Sequence, residues 1–364
     1  MKRRPKVLTV VGARPQFVKA APLSRALRRR FREVLVHTGQ HYDHAMSEAF
    51  FEDLAIPAPD LHLGIGSGPH GEMTGRMLAA LEKAMGDVGP DLVLVMGDTN
   101  STLAGALAAA KLGLPIAHVE AGLRSFDARM PEEINRRLTD HVSTLLFCPT
   151  LAAVANLRRE GITRGVHRVG DVMKDAIVQN LARARRRKRP SAAPAPGTYY
   201  LATLHRQENV DDRSRLRDIV GALERLPYPV LWPVHPRARR RLEQWRLRPA
   251  GSLRLLPPAS YLDMLVLEQG ARAILTDSGG VQKEAFLLGR PCLTLRDTTE
   301  WVETVAAGGN RLVGSDPRRI ARAVAQIERD GPPRSRARSG PYGSGHAAEA
   351  IAGVIERFFA RRGR

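Results

Sequence analysis

The stretch Ala273-Ile274-Leu275-Thr276-Asp277-Ser278-Gly279-Gly280-Val281-Gln282-Lys283-Glu284 changes character twice. An apolar, strand-like run ends at Thr276, a polar turn with two glycines follows, and a helical pattern starts. Free N–H groups and the positive end of the helix dipole make such a corner an anion site suited to a diphosphate. Two glycines let a ligand approach the backbone, and Glu284, one turn into the helix, is placed to accept hydrogen bonds from ribose hydroxyls. Taken alone, the segment reads equally as an ordinary Asp-Ser-Gly-Gly turn. What decides the fold is that the same strand-turn-helix unit recurs along the whole chain.

Working outward, strands are expected at Lys6 to Val11, Glu33 to His37, Asp91 to Met96, Pro115 to Val119 and Leu145 to Cys148. A short run closes this half at Val166 to Val169. Helical patterns lie between them at Phe17 to Arg29, Thr74 to Met85, Thr102 to Leu112 and Pro131 to Ser143. The second half repeats the scheme, with strands at Tyr199 to Leu204, Pro229 to Pro233, Ser252 to Leu255, Ala273 to Thr276, Pro291 to Leu295 and Asn310 to Val313. Its helices are expected at Ser214 to Arg225, Tyr261 to Gln269, Gln282 to Leu288 and Pro317 to Glu328. The strands are nearly continuous apolar runs, as befits a parallel sheet covered by helices on both faces. The reading is therefore an α/β chain of two doubly wound domains, residues 1–168 and 169–345, with a cleft between the carboxyl ends of their sheets. Residues 346–364 read as a C-terminal helix packing back on the first domain, and Arg183 to Gly197 as an exposed basic loop.

Composition narrows the function classes. The chain has 364 residues, 43% of them hydrophobic and 26% charged, enough for two packed cores. No window reaches 18 uninterrupted apolar residues, which excludes a membrane-spanning helix, and the opening apolar run is too short for a signal peptide. Cys148 and Cys292 sit in apolar contexts without disulfide or zinc spacing, which favours the reducing cytoplasm. The formal charge of +20 is almost entirely arginine, clustered in helix-like and terminal runs. With only 5% aromatics and none interleaving those runs, it reads as solvating charge rather than as a nucleic-acid surface.

Polar residues collect where strands end. Gly12-Ala13-Arg14-Pro15 follows the first strand, with Lys19 on the next helix; Gly97-Asp98-Thr99 and Glu120-Ala121-Gly122-Leu123-Arg124 follow two others, and Met130-Pro131-Glu132-Glu133 lies just beyond. Arg14, Asp98, Glu120 and Glu132 thus point toward one crevice, a placement that serves chemistry better than packing. The plainer alternative makes Asp98 a helix cap and Glu132 an i,i+4 partner of Arg136. His205-Arg206-Gln207-Glu208 follows the first strand of the second half. Gly66 to Gly71 matches G-x-G-x-x-G but follows no convincing strand, and His37, His41 and His44 straddle a turn, so neither a dinucleotide nor a metal site is expected.

These residues carry a family resemblance. Gly12 to Lys19, Thr38-Gly39-Gln40-His41, Gly97-Asp98-Thr99, His118 to Arg124, Pro131 to Arg136, Thr276 to Glu284, Arg296-Asp297-Thr298-Thr299-Glu300 and Pro341-Tyr342-Gly343 resemble, in order over nearly the whole chain, the non-hydrolysing UDP-N-acetylglucosamine 2-epimerases. The resemblance implies two Rossmann-like doubly wound domains of the glycosyltransferase-B type. It also implies a cytoplasmic, homodimeric isomerase that interconverts UDP-GlcNAc and UDP-ManNAc for cell-surface polysaccharide synthesis, without cofactor or metal. The implied route eliminates UDP to give 2-acetamidoglucal and adds it back with C2 inverted. By resemblance Asp98, Glu120 and Glu132 are the acid/base carboxylates, with His205 assisting near the diphosphate and Lys19 supporting. Arg14, Ser278, Gly279, Gly280 and Glu284 hold UDP, and Gln40, His41, Arg206 and His235 are further candidate contacts for substrate or an allosteric ligand.

Two departures stand out. Where the family often reads Thr-Glu-Arg-Pro-Glu, this chain has Trp301-Val302-Glu303 after Glu300, so an aromatic replaces a cation. That variant resembles the branch acting on UDP-2,3-diacetamido-2,3-dideoxyglucuronate. Gln40-His41-Tyr42-Asp43 also lacks the arginine found in members with an allosteric site. A UDP-sugar-dependent glycosyltransferase of the same fold is the remaining alternative, disfavoured by the number of carboxylates.

Overall fold

The computed structural model describes residues 3–39, 54, 56–186, 194–331 and 340–362. In chain order the first part contains β1 (Lys6–Val11), α1 (Arg14–Arg30), β2 (Arg32–His37), β3 (Leu61–His62), α2 (His70–Val88), β4 (Leu92–Met96), α3 (Asn100–Lys111), β5 (Ile116–Val119), α4 (Pro131–Val142), β6 (Leu145–Cys148), α5 (Leu151–Arg159), β7 (Val166–Arg168) and α6 (Val172–Arg186). The second contains β8 (Tyr200–Thr203), α7 (Gln207–Val210), α8 (Arg213–Glu224), β9 (Val230–Pro233), α9 (Pro236–Gln244), β10 (Leu253–Leu256), α10 (Tyr261–Gly270), β11 (Ile274–Thr276), α11 (Gly279–Leu287), β12 (Cys292–Thr294), α12 (Val302–Ala306), β13 (Asn310–Leu312) and α13 (Pro317–Asp330). A last helix, α14 (Ala347–Arg362), ends the described chain.

The strands form two sheets, ordered β3-β2-β1-β4-β5-β6-β7 and β10-β9-β8-β11-β12-β13. Every pairing is parallel, from Lys6 opposite Arg32 to Cys148 opposite Arg168 in one sheet and from Tyr200 opposite Val230 to Thr294 opposite Leu312 in the other. Each sheet therefore reverses its strand order once, between β1 and β4 and between β8 and β11, and the loops leaving those strands diverge to open a crevice at the carboxyl edge. Helices cover both faces, which is why β4 and β5 are buried at every position. In the second sheet, Tyr200, Ala202 and Trp232 pack with Leu223 and Ile320 on one face, while Tyr199, Leu201 and Leu231 pack with Leu267 and Ala285 on the other. The period-2 alternation of strand side chains produces this division.

The chain divides into two compact units, Met1–Gln179 with Pro341–Arg364, and Asn180–Gly340. The division falls later than the expected residue 169, because α6 is a helix where sequence pattern suggested the start of a new domain. The expected basic loop from Arg183 is likewise helical to Arg186. The last helix, α14, lies on α1: Arg29 and Arg30 pair with Glu349, Arg30 with Glu356, and the rings of Phe31 and Phe359 meet at 5.9 Å. Asp175 on α6 accepts the Ala347 and Ala348 amides at 3.1 and 2.8 Å and so caps α14. Both cysteines are free and buried, with burial pushing each thiol up to about 12. Among the described residues no helix is long and apolar enough to cross a membrane.

The carboxyl end of β5 is pinned by a buried polar network. His118 Nδ1 lies 2.7 Å from Asp140 Oδ1, and its Nε2 lies 2.9 Å from the Gly97 carbonyl. Arg124 donates to Asp140 at 2.7 Å and to Glu160 at 2.7 Å, while the Gly122 amide donates to Asp140 at 3.1 Å. Burial pushes the Asp140 pKa up, but His118 and Arg124 outweigh it and the net value lies below the usual carboxylate range. Gly122 itself has φ +81°, and a Cβ there would sit 2.3 Å from the Ala153 carbonyl oxygen on α5.

Two measurements check this account. Gly122→Ala should destabilise the chain by about 3 kcal/mol in urea unfolding, from backbone strain and overlap together. Gly113→Ala, where φ is also positive but nothing lies near, should cost only about 1 kcal/mol. Equal losses would remove the overlap with α5. Because the folded pKa of Asp140 is depressed, its stabilisation is complete above the unfolded value of about 3.9 and fades as pH falls below it. Asp140→Asn should therefore lie well below the native chain in stability at pH 7, with the gap narrowing below about pH 4. A gap independent of pH would contradict the pairing.

Candidate functional site

In the first unit Lys19, Asp98 and Glu120 lie around the ends of β4 and β5. Gln16, in the first turn of α1, accepts the Gly12 and Ala13 amides at 2.8 and 3.0 Å and donates to the Met96 carbonyl at 2.9 Å, tying the Arg14 loop to β4. Lys19, further along α1, reaches across and donates to the Glu120 carboxylate, and both side chains are buried. Glu120 has φ 72°, a left-handed conformation that a non-glycine residue adopts only under constraint, here where β5 ends. The pair sits against Gly97, where an added Cβ would lie 3.5 Å from Glu120 Oε2 and 3.7 Å from Lys19 Nζ. Gly97 directly precedes Asp98, so Lys19, Asp98 and Glu120 share one locality.

Asp98 is one-third exposed, and its Oδ2 accepts from Arg136 Nε and Nη2 at 3.1 and 2.8 Å. Asn135, beside Arg136 on α4, donates to the Asp98 carbonyl at 2.9 Å. Glu132 is half-buried in the first turn of the same helix. Its neighbour Glu133 is a latch: it accepts from the Ser125 and Phe126 amides at 2.8 and 3.2 Å and from Arg136 at 2.7 Å.

The second unit builds its site around Asp277, which is fully buried after β11. Its carboxylate accepts the His205 and Arg206 amides at 3.1 Å each and Asn209 Nδ2 at 3.2 Å, and His205 Nδ1 lies 3.0 Å away. Burial raises the Asp277 pKa, but His205 and these donors outweigh it and the net shift is downward. His205 is part-exposed, with Nδ1 the ring nitrogen turned to Asp277. His235 caps α9, accepting the Arg237 amide at 3.2 Å, and its ring lies 6.1 Å from that of His205. Ser278 caps α11, whose first turn is Gly279-Gly280. A Cβ on Gly280 would meet only Ser278 Oγ at 3.8 Å, whereas one on Gly279 would meet Glu300 at 2.4 Å and Trp301 at 3.1 Å. The Cβ side of Gly280 is therefore open. The space on the Cβ side of Gly279 is taken by Glu300 and Trp301.

Several readings change. Asp98 is no helix cap, since Thr99 caps α3. Arg136 is buried rather than a surface partner, and it grips Asp98 and Glu133. Arg136 and Asp277 were absent from the expected site. Their signal was present, an arginine one turn after two glutamates and an aspartate directly at a strand end, but spacing alone does not name the partner. On α11, Lys283 Nζ lies 3.9 Å from the Trp301 ring centroid. Gln40 and His41 fall outside the described residues, and of Arg14 only the backbone position at the start of α1 is described. His37 stacks between Phe17 and His62 at 5.1 and 4.5 Å. Among the described residues no group of three His, Cys, Asp or Glu is arranged to hold a metal.

Comparison with known proteins bears on this arrangement. The sequence profile described as UDP-N-acetylglucosamine 2-epimerase matches residues 25–356. The chain is 49% identical to the UDP-2,3-diacetamido-2,3-dideoxy-D-glucuronate 2-epimerase of Pseudomonas aeruginosa, over 97% of this chain and 99% of the relative. It is similar to the crystal structure of the Methanocaldococcus jannaschii UDP-GlcNAc 2-epimerase in complex with UDP-GlcNAc and UDP, with TM-score 0.89, 42% identity and coverage of 97% and 99%. The glycosyltransferase CalG4, at 15% identity and TM-score 0.56 over 100% and 99%, shares the fold. The chain belongs to the UDP-N-acetylglucosamine 2-epimerase family, an isomerase on a two-sheet α/β fold.

Proposed function

We propose that the chain interconverts UDP-GlcNAc and UDP-ManNAc by eliminating UDP and adding it back. The observation that carries this reading is the buried Lys19–Glu120 pair, held in a left-handed backbone beside Asp98 at the strand ends. A C2 proton with no adjacent carbonyl is barely acidic, so its removal must be coupled to departure of a good leaving group. One carboxylate of Asp98, Glu120 and Glu132 takes the C2 proton as the C1–O bond breaks. The bond electrons leave with UDP, and the C1–C2 double bond of 2-acetamidoglucal forms. Return of the UDP oxygen to C1, with a proton delivered to the opposite face of C2, gives the epimer. The second unit holds UDP. The N-terminus of α11 at Ser278, Gly279 and Gly280 receives the diphosphate, and Glu284 receives the ribose hydroxyls. His205, set by Asp277, meets the charge that grows on the departing diphosphate.

A second reading keeps the chemistry and changes the sugar: the 49%-identical relative favours UDP-2,3-diacetamido-2,3-dideoxyglucuronate. The same proposal includes a cytoplasmic homodimer, supported by the free buried cysteines for the compartment and by family resemblance for the assembly.

Proton NMR in deuterated water with each UDP sugar in turn tests both readings. Loss of the C2 proton signal with UDP-GlcNAc and appearance of UDP-ManNAc is expected. Exchange confined to the diacetamido sugar selects the second reading, and no exchange with either overturns both. Asp98→Asn and Glu132→Gln should lower turnover by about 10²–10⁴-fold while leaving UDP affinity within about threefold. Full activity in either variant removes that residue from the acid/base group. Glu284→Ala should weaken UDP binding by about tenfold or more, and unchanged affinity would count against the ribose contact.

A further inference from the structure

Behind Glu284 lies a second carboxyl group that the proposed mechanism does not use. Glu268, on α10, is fully buried where α10 packs on α11. Among the described residues neither of its carboxyl oxygens meets an N–H or hydroxyl donor in hydrogen-bonding geometry, and its close polar contact is with the Glu284 carboxyl. The Tyr261 hydroxyl, from the first turn of α10, also faces Glu284, and the buried Cys292 thiol is close enough to feel Glu268. Two carboxyl groups in contact attract each other only when one carries a hydrogen. Glu268, with no exposed surface, is the more deeply enclosed of the two carboxyls, and burial pushes its pKa well above the usual carboxylate range, so Glu268 is the one placed to carry that hydrogen.

The arrangement has a purpose that a cation would not serve. A lysine or arginine at residue 268 would neutralise Glu284 and compete for its lone pairs. A neutral acid donates one hydrogen bond, stops the Glu284 carboxylate from rotating, and leaves its negative charge in place. Resting on the reading that Glu284 grips ribose, we propose that Glu268 is a positioning residue for the nucleotide: by donating a hydrogen bond to Glu284 it orients that carboxylate to accept the 2′- and 3′-hydroxyls. Tyr261 backs the same carboxylate from the preceding turns of α10.

Calorimetric titration of the full chain with UDP and with 2′,3′-dideoxy-UDP tests this, using the native protein, Glu268→Gln and Glu268→Leu. The native chain should prefer UDP by about tenfold or more. Glu268→Gln still donates and should keep that preference within about threefold. Glu268→Leu should bring the preference close to unity while leaving affinity for dideoxy-UDP within about threefold of native, a ligand-selective loss that general loosening of the fold would not produce. Glu268→Met supplies the same comparison should leucine prevent folding. Full preference in the apolar variants, or a collapse in Glu268→Gln as deep as theirs, overturns the proposal. A native chain that binds both nucleotides equally overturns the ribose reading itself.

Discussion

A carboxylate that folding draws wholly or partly out of water, at a strand end or, like Asp140, on a covering helix, is tolerated only where donors replace the lost solvent. That constraint shapes every functional corner of this chain. Asp277 is met by two backbone amides, Asn209 and His205; Glu120 by Lys19; Asp98 by Arg136; and Asp140 by His118, Arg124 and the Gly122 amide. Each donor comes from a different element from its acceptor, so satisfying the charge also fixes the loop. Removing one partner leaves a buried charge uncompensated, which makes these ties unforgiving. The left-handed backbone at Glu120 persists because the surrounding contacts over-determine it.

The two sheets share one winding, first strand beside fourth, and each unit uses its own reversal point differently. In the first, β4 and β5 end in acids matched by cations on α1 and α4. In the second, β8 and β11 end in a histidine–aspartate pair and a glycine-opened helix start. One corner gathers acid–base pairs, the other pairs a buried aspartate with a histidine beside a helix start. The same α/β frame serves both because parallel strands deliver their carboxyl ends to one edge, and only the residues after each strand need differ.

Much of this was legible before coordinates. The continuous apolar runs located the strands, since burial on both sheet faces leaves no alternation to blur them, and polar residues at the strand ends marked Lys19, Asp98, Glu120, His205 and Ser278 for attention. What was not legible has physical causes. The strand β3 spans only Leu61–His62, too short to carry a pattern. The helices α5 and α9 span only nine residues each, and α6 and α9 carry many arginines, so they stood out little from the surrounding sequence. The unit boundary inside α6 follows from packing, which composition does not record. Pairings such as Arg136 with Asp98, or Glu268 with Glu284, join residues through the fold rather than along the chain. An acid standing behind another acid looks unfavourable in sequence until burial protonates one of them.

The central claim is that the bond between the sugar and the diphosphate breaks and re-forms while both fragments stay bound. Positional isotope exchange tests it most directly: UDP-GlcNAc carrying ¹⁸O in the bridge between C1 and the β-phosphorus is incubated with the protein and followed by phosphorus NMR. The account predicts that label moves from the bridge to the non-bridging β-phosphoryl positions, because the released diphosphate can rotate before it returns. Epimer that accumulates with the label still in the bridge would contradict it.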